Sequence, residues 1–244
     1  MKKKSHLSFI FFLFSFTAIC VLLSLLSFTF CKWKLPDTAT SIQSDSQSPT
    51  IIIDAGHGGE DGGTSGKDGT LEKELNLSIS KKLRDLFCAA GYKVVMTRET
   101  DILLYDKNAD YKGRKKELDL AKRVEIANSY ENAVFISIHM NAFPDTKYSG
   151  LQVYYSKNHA ASSEIANNIQ TAVQEHLQKD NNRQTKPAGL NIFVLDRVRI
   201  PAVLIECGFL SNADECHKLT QDEYQKELSL TIFFAVSKYI EKTP

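Results

Sequence analysis

The sequence predicts an α/β fold: a mostly parallel, twisted sheet with helices on both faces, forming one domain behind an amino-terminal export segment. Three observations predict it. Short apolar runs alternate with longer stretches of helical periodicity, the pattern of linked strand–helix units. The inner runs, "III" at 51–53 and "AVFISI" at 133–138, are apolar almost without alternation, which suits strands covered on both faces. The first run leaves through "DAGHGGEDGG", 54–63, whose Gly56, Gly58 and Gly59 remove every bulky neighbour around His57 and permit backbone angles other residues avoid, as in loops that carry sites.

The elements follow in order. Ile51, Ile52 and Ile53 are β-branched and read as a buried strand. "EKELNLSISKKLRDLFCAAG", 72–91, sets Leu75, Leu77, Ile79, Leu83, Leu86 and Phe87 on one broad stripe, with Gly91 as the stop. "YKVVMTRETD", 92–101, contains a short strand, and "ELDLAKRVEIANSY", 117–130, is a second helix. The strand at 133–138 ends in His139, and "LQVYYS", 151–156, is another strand. "SSEIANNIQTAVQEHLQK", 162–179, reads as a long helix. "LNIFVLD", 190–196, and "PAVLIECGFL", 201–210, read as strands, and "DEYQKELSLTIFFAVSKYIEK", 222–242, as the closing helix.

Three lysines, Lys2, Lys3 and Lys4, precede an uncharged apolar stretch from Leu7 to Cys31. At ~1.5 Å per residue a helix of that length crosses the ~30 Å of bilayer hydrocarbon. The basic flank predicts a cytoplasmic amino end and an exported remainder. Phe28, Phe30 and Trp33 stand where a cleavage site would need small residues, so residues 1–31 read as an uncleaved signal-anchor, with a cleaved signal peptide as the alternative. Residues 32–48 are polar and serine-rich, a flexible linker, and 49–244 is the expected catalytic domain.

The whole chain carries 30 basic and 29 acidic residues; beyond residue 48 the balance is 25 against 27. Such a domain has no charge reason to bind nucleic acid. Cys88, Cys207 and Cys216 are an odd set at unrelated spacings and form no disulfide framework, although one pair is compatible with the count.

Ligands of such sheets gather beyond the carboxyl ends of strands. His57 follows the first strand, His139 closes "FISIH", and Glu206 closes "AVLIE", so the three are expected on one rim. A phosphate cradle is disfavoured. Asp61 stands where both the Walker pattern and the dinucleotide pattern require glycine, and Asp68 replaces the Walker hydroxyl. A metal fares better. His57, His139 and Glu72, at the start of the first helix, compose a zinc set that leaves a position for water. Bound zinc lowers that water's pKa to ~7, and a further carboxylate, Glu206, is placed to move its proton.

Each residue also has a plainer reading. His57 fits an ordinary loop, His139 a satisfied core histidine, and Glu72 a helix start where the dipole favours any carboxylate. Glu206 is harder to explain structurally, because a buried carboxylate needs a cation, a proton or hydrogen bonds. Cys207 beside it fits a packed small residue better than a nucleophile. His6, His159, His176 and His217 read as surface residues.

Taken together, "IIIDAGHGG", "LEKELNL", "MTRETD", "AKRVEIAN", "FISIHMNA" and "PAVLIECGFLSN" resemble the zinc-dependent N-acetylmuramoyl-L-alanine amidases, in order and over nearly everything from Thr50 onward. The resemblance implies zinc held by His57, Glu72 and His139, with Glu206 as the catalytic carboxylate cutting the amide between the lactyl group of muramic acid and the stem peptide. It implies an Asn141 that orients a ligand or simply turns the chain, and structural hydrogen bonds from Arg98 and Arg123. "GRKKELDLAKR", "DNNRQTKPAGLNIFVLDR" and "DEYQKEL" are similar to the germination-specific members of spore formers, which help make muramic-δ-lactam in spore cortex. The expected partners are peptidoglycan, a membrane through the amino-terminal segment, and an accessory protein if zinc needs support; the expected place is outside the cytoplasm. A vegetative wall amidase, a scaffold without turnover and a peptidase of the stem peptide are the alternatives.

Overall fold

Ile51, Ile52 and Ile53 have no exposed surface, and strand alternation splits them between two cores. The computed structural model describes residues 48–106, 108 and 112–242. The expected anchor at 1–31, His6 and all but the last residue of the expected linker lie outside the described residues. Among the described residues, no helix is long and apolar enough to cross a membrane.

Among the described residues there are six strands: β1 (Thr50–Ala55), β2 (Val94–Met96), β3 (Ala133–Asn141), β4 (Gln152–Tyr155), β5 (Lys186–Pro187) and β6 (Ala202–Phe209). Their order across the sheet is β2-β1-β3-β6-β4-β5. All neighbours run parallel except β4 and β6, so the sheet is mixed, with one antiparallel pairing. The helices among the described residues are α1 (Glu72–Ala89), α2 (Lys115–Asn128), α3 (Ala161–His176), α4 (Phe193–Arg197), α5 (Ala213–Thr220) and α6 (Asp222–Ile240).

Ile51, Ile53, Ile136, Ile138, Val203 and Ile205 face α1, α3 and α6 in the larger core. Ile52, Phe135, Ala202 and Leu204 face α2 and α4 in the smaller one. Helices therefore cover both faces. Each fully buried Ile or Phe contributes roughly 1.5–3 kcal/mol of transfer free energy, and the central strands carry most of it.

Three expectations need correction. "LNIFVLD" is not a strand: it turns into α4, where Val194, Leu195 and Val198 bury one helical face. A short apolar run does not reveal its own period. The closing helix is preceded by α5, whose cap Asn212 accepts the amide of Glu215. His139 and Glu206 also stand inside their strands rather than at the ends, since β3 continues to Asn141 and β6 to Phe209. The three cysteines are free thiols, Cys88 exposed and the other two buried.

Candidate active site

The loop after β1 is bare because two side chains lie against its backbone. A Cβ on Gly56 would overlap the ring of His139, and one on Gly63, where φ is +69°, would overlap the carboxylate of Glu72. His57 itself adopts φ +60°, a left-handed conformation costing a non-glycine residue about 1–3 kcal/mol unless its surroundings impose it. They do. Arg98 donates to the carbonyls of Ala55 (2.8 Å), Gly56 (2.9 Å) and Lys73 (2.8 Å). Arg123 donates to those of Ala55 and His57, each at 2.8 Å, and Asn76 Nδ2 adds a bond to Gly56 O at 3.1 Å.

Beneath the loop, Asp54 accepts from Arg123 (2.6 Å), Thr97 (2.7 Å) and Ser137 (2.6 Å), and Asp119 accepts from Arg123 Nε at 2.8 Å. All five are buried. Burial works against the Asp54 carboxylate, yet the Arg123 charge, the hydrogen bonds from Ser137 and Thr97 and the nearby His139 together outweigh it and hold the group below its ordinary pKa. Arg98 and Arg123 therefore make the structural hydrogen bonds expected of them.

Glu72 is the first residue of α1 and is almost fully buried. Its Oε2 accepts the amide of Thr64 at 2.8 Å, and its Oε1 accepts that of Met140 at 3.0 Å. The same Oε1 lies 2.9 Å from His139 Nδ1 and 3.2 Å from His57 Nε2. The two rings meet edge to face, centroids 4.9 Å apart. One donor atom from each of His57, Glu72 and His139 falls within 4.8 Å of the others. On the far side of His57, Nδ1 is 2.9 Å from Asp61 Oδ2, an ion-pair distance, but out of line for a hydrogen bond.

Glu206 is the register partner of His139 on the adjacent strand, and its buried Oε2 finds no hydrogen-bond partner among the described residues. His57, His139 and Glu206 line one cleft of about 220 Å³, walled by Leu120, Phe193 and Leu195. The three rim residues thus meet as expected. Asn141 ends β3, and its carbonyl accepts the amide of Leu210 at 2.9 Å, so its backbone has a structural task.

The charges reinforce one another. Burial opposes an imidazolium at His57, but Asp61 and Glu72 outweigh it and lift the pKa to about 9. Burial would raise Glu72, yet the two imidazoles hold it well below the usual carboxylate range. Burial pushes Glu206 up to about 7. Two imidazoles and a carboxylate converging on one point either share protons or hold a cation, and this nitrogen–nitrogen–oxygen set fits zinc-type coordination. The shielded, unpartnered oxygen of Glu206 gives that fit a second, independent sign.

Fold and cleft together define a class: an α/β domain with a metal-capable His–Glu–His cluster beside a cleft that also holds a buried carboxylate. Residues 51–238 match the Amidase_3 family, described as N-acetylmuramoyl-L-alanine amidase. The chain is 35% identical over 189 residues to the germination-specific N-acetylmuramoyl-L-alanine amidase of Bacillus subtilis, covering 78% of each. It is similar to the CwlD amidase of Clostridioides difficile, solved in complex with the GerS lipoprotein, at 42% identity and TM-score 0.76, over 80% of this chain and 99% of that one. A further N-acetylmuramoyl-L-alanine amidase structure from Clostridium difficile 630 matches at 30% identity and TM-score 0.70, over 82% and 100%. The chain belongs to the Amidase_3 family of N-acetylmuramoyl-L-alanine amidases and is a peptidoglycan hydrolase.

Sequence reasoning expected a structural role for Arg123 but passed over its buried partners Asp54 and Asp119, and gave Asp61 and Asn76 no part in the site. Asp54 had a visible signal, an acid at the end of an isoleucine run. Asp61 had none beyond proximity to His57.

Proposed function

We propose that this amidase uses zinc held by His57, Glu72 and His139, with Glu206 as the group that moves the proton. The observation that carries the reading is a cluster of three ligand atoms within 4.8 Å of one another, two of its residues lining the cleft that also holds the unpartnered Glu206 oxygen. Zinc, when bound, supplies Lewis acidity that polarises an amide carbonyl and acidifies water. Glu206 in its ionised form accepts the proton of the attacking water and delivers it to the alanine nitrogen as the C–N bond breaks. The products are a free lactyl carboxylate and a stem peptide with a free amine. The guanidinium groups of Arg98 and Arg123 keep the His57 loop in position throughout.

The setting we infer is the spore cortex, where cleavage precedes muramic-δ-lactam formation. Similarity to the germination-specific amidase of Bacillus subtilis and to CwlD supports it. The complex of CwlD with a lipoprotein supports an accessory partner here as well. Residues 1–31 then hold the protein at a membrane, 32–48 tether it, and 49–244 work outside the cytoplasm.

The test is mass spectrometry of peptidoglycan digested by the zinc-loaded chain, with and without the accessory protein, beside Glu206→Gln and His139→Ala. Intact stem peptides with a free alanine amine, released by the parent alone, are expected. Release by Glu206→Gln at the parental rate would remove Glu206 from its role. Cortex lacking muramic-δ-lactam in a strain without the protein would separate the sporulation setting from a vegetative one.

A further inference from the structure

Beyond Glu206, away from the histidines, the sheet continues to β4, and there an arginine is held in place outside the ion pairs of the described residues. Gln152 is the direct antiparallel partner of Glu206, so the two side chains leave the same face about 5 Å apart. Gln152 Nε2 donates to Gln184 O at 2.8 Å, and its Oε1 accepts from Arg183 Nη1 at 3.2 Å. Arg183 Nε donates to Ser149 O at 2.7 Å. The guanidinium lies 4.4 Å over the ring of Phe209 and 6.0 Å from that of Tyr148. Its orientation is thereby fixed, while Nη2 has no hydrogen bond among the described residues; the carboxylate of Glu215, which lines the same groove and feels the Arg183 charge, is engaged by the backbone amides of Gly150 and Phe209.

The opposite rim differs. There Lys115 is paired with Glu60 at 2.7 Å and Lys116 with Asp61 at 3.6 Å. On the β4 side, Arg183 is oriented but not drawn into an ion pair. Arg183 and Tyr148 also line a groove of about 690 Å³, which has room for a peptide. Tyr148 and Phe143, on the loop that follows β3, are exposed and pack edge to face at 4.9 Å, extending the same wall. Arg183 and Glu206 share an electrostatic neighbourhood: burial raises Tyr154, Glu206 adds to the shift, and Arg183 opposes it.

We propose that Arg183 binds a carboxylate of the stem peptide, that of the second residue, and so sets the direction in which substrate crosses the cleft. This rests on the assignment of His57, Glu72, His139 and Glu206 as the reacting centre. An extended chain advances ~3.3–3.6 Å per residue. One register step across the sheet plus the Gln152 and Arg183 side chains therefore corresponds to roughly two residues beyond the amide being cut. The opposite wall, of Leu120, Phe193 and Leu195, is apolar and offers no partner for a carboxylate. Arginine suits the task because its planar fork binds carboxylate through two parallel donors.

The test compares two glycan-linked substrates, identical except that the second stem residue carries a carboxylate or a carboxamide. The full zinc-loaded chain, Arg183→Gln and Arg183→Lys are assayed on both. The parent is expected to favour the carboxylate about tenfold or more in kcat/KM, chiefly through KM. Arg183→Gln brings the ratio near one, and Arg183→Lys restores part of it. Equal cleavage of both by the parent overturns the proposal, as does an equal fall on both in Arg183→Gln, which marks a structural role. Calorimetric binding of the matching free stem peptides repeats the comparison without turnover. An inactive chain that still prefers the carboxylate peptide would count against the reacting centre and not against Arg183; equal binding would overturn Arg183.

Discussion

Arg123 donates to the carbonyl oxygen of His57 at 2.8 Å from a guanidinium that is almost wholly buried. The same group pairs with Asp54 and Asp119, so one side chain joins a proposed ligand loop to the floor of the sheet. Removing it leaves two buried carboxylates without their cation. Arg123→Ala is expected to lower unfolding free energy by about 3–5 kcal/mol, measured by urea denaturation. Arg123→Lys keeps the charge but not the fork, and should lose less. A cost below ~1 kcal/mol for the alanine variant would show that the ion group adds little.

Gly56 tests the reason for the bare loop. Its backbone conformation is open to alanine, so the whole effect of Gly56→Ala is the added methyl pressing on the His139 ring. Zinc affinity should fall about 10–100-fold, the size seen when the support of a ligand is disturbed, with the circular dichroism spectrum retained. Competition with a chromophoric chelator measures it. Unchanged affinity would mean that His139 has room to move.

Much of this arrangement was open to reading in advance, and the physical reason differs by residue. His57, His139 and Glu206 could be placed together because parallel strands deliver their carboxyl ends to one rim, and topology needs only element order. Glu72 could be placed at a helix start because apolar periodicity begins right after it. The α4 segment could not: "NIFVL" is β-branched and aromatic, and only packing of Val194 and Leu195 beneath the sheet decides for a helix. Gln152 and Arg183 were equally hidden. Their relation to Glu206 depends on one antiparallel pairing in an otherwise parallel sheet, and strand order is not written in local pattern.

If zinc is held by the folded cluster and not by the unfolded chain, it must stabilise the fold. At a thousand times its dissociation constant the gain is about 4 kcal/mol. The melting temperature of the chain should rise on adding zinc and fall with a chelator. His139→Ala should remove most of that response while keeping the cores described above, which it does not enter. A full zinc response in His139→Ala would place the metal elsewhere.

The pH dependence of stability isolates Glu206. Burial pushes its pKa up to about 7 from an ordinary value of 4.5. The folded state therefore holds a proton that the unfolded chain has already released between those values. Stability linked to this group is complete below about pH 4.5, declines as pH rises towards 7, and changes no further above it. Glu206→Gln cannot release that proton. Without zinc, the variant should match the parent near pH 4.5 and exceed it at pH 8 by a few kcal/mol, an order-of-magnitude figure from the size of the shift. With zinc bound, the nearby positive charge favours the ionised carboxylate and should shrink the difference. Urea unfolding of both proteins at pH 4.5, 6 and 8, with and without the metal, reads all of this directly. A parent at least as stable as the variant at pH 8 in the absence of metal would mean that the cleft solvates Glu206 well, and its readiness to accept a proton would need another source.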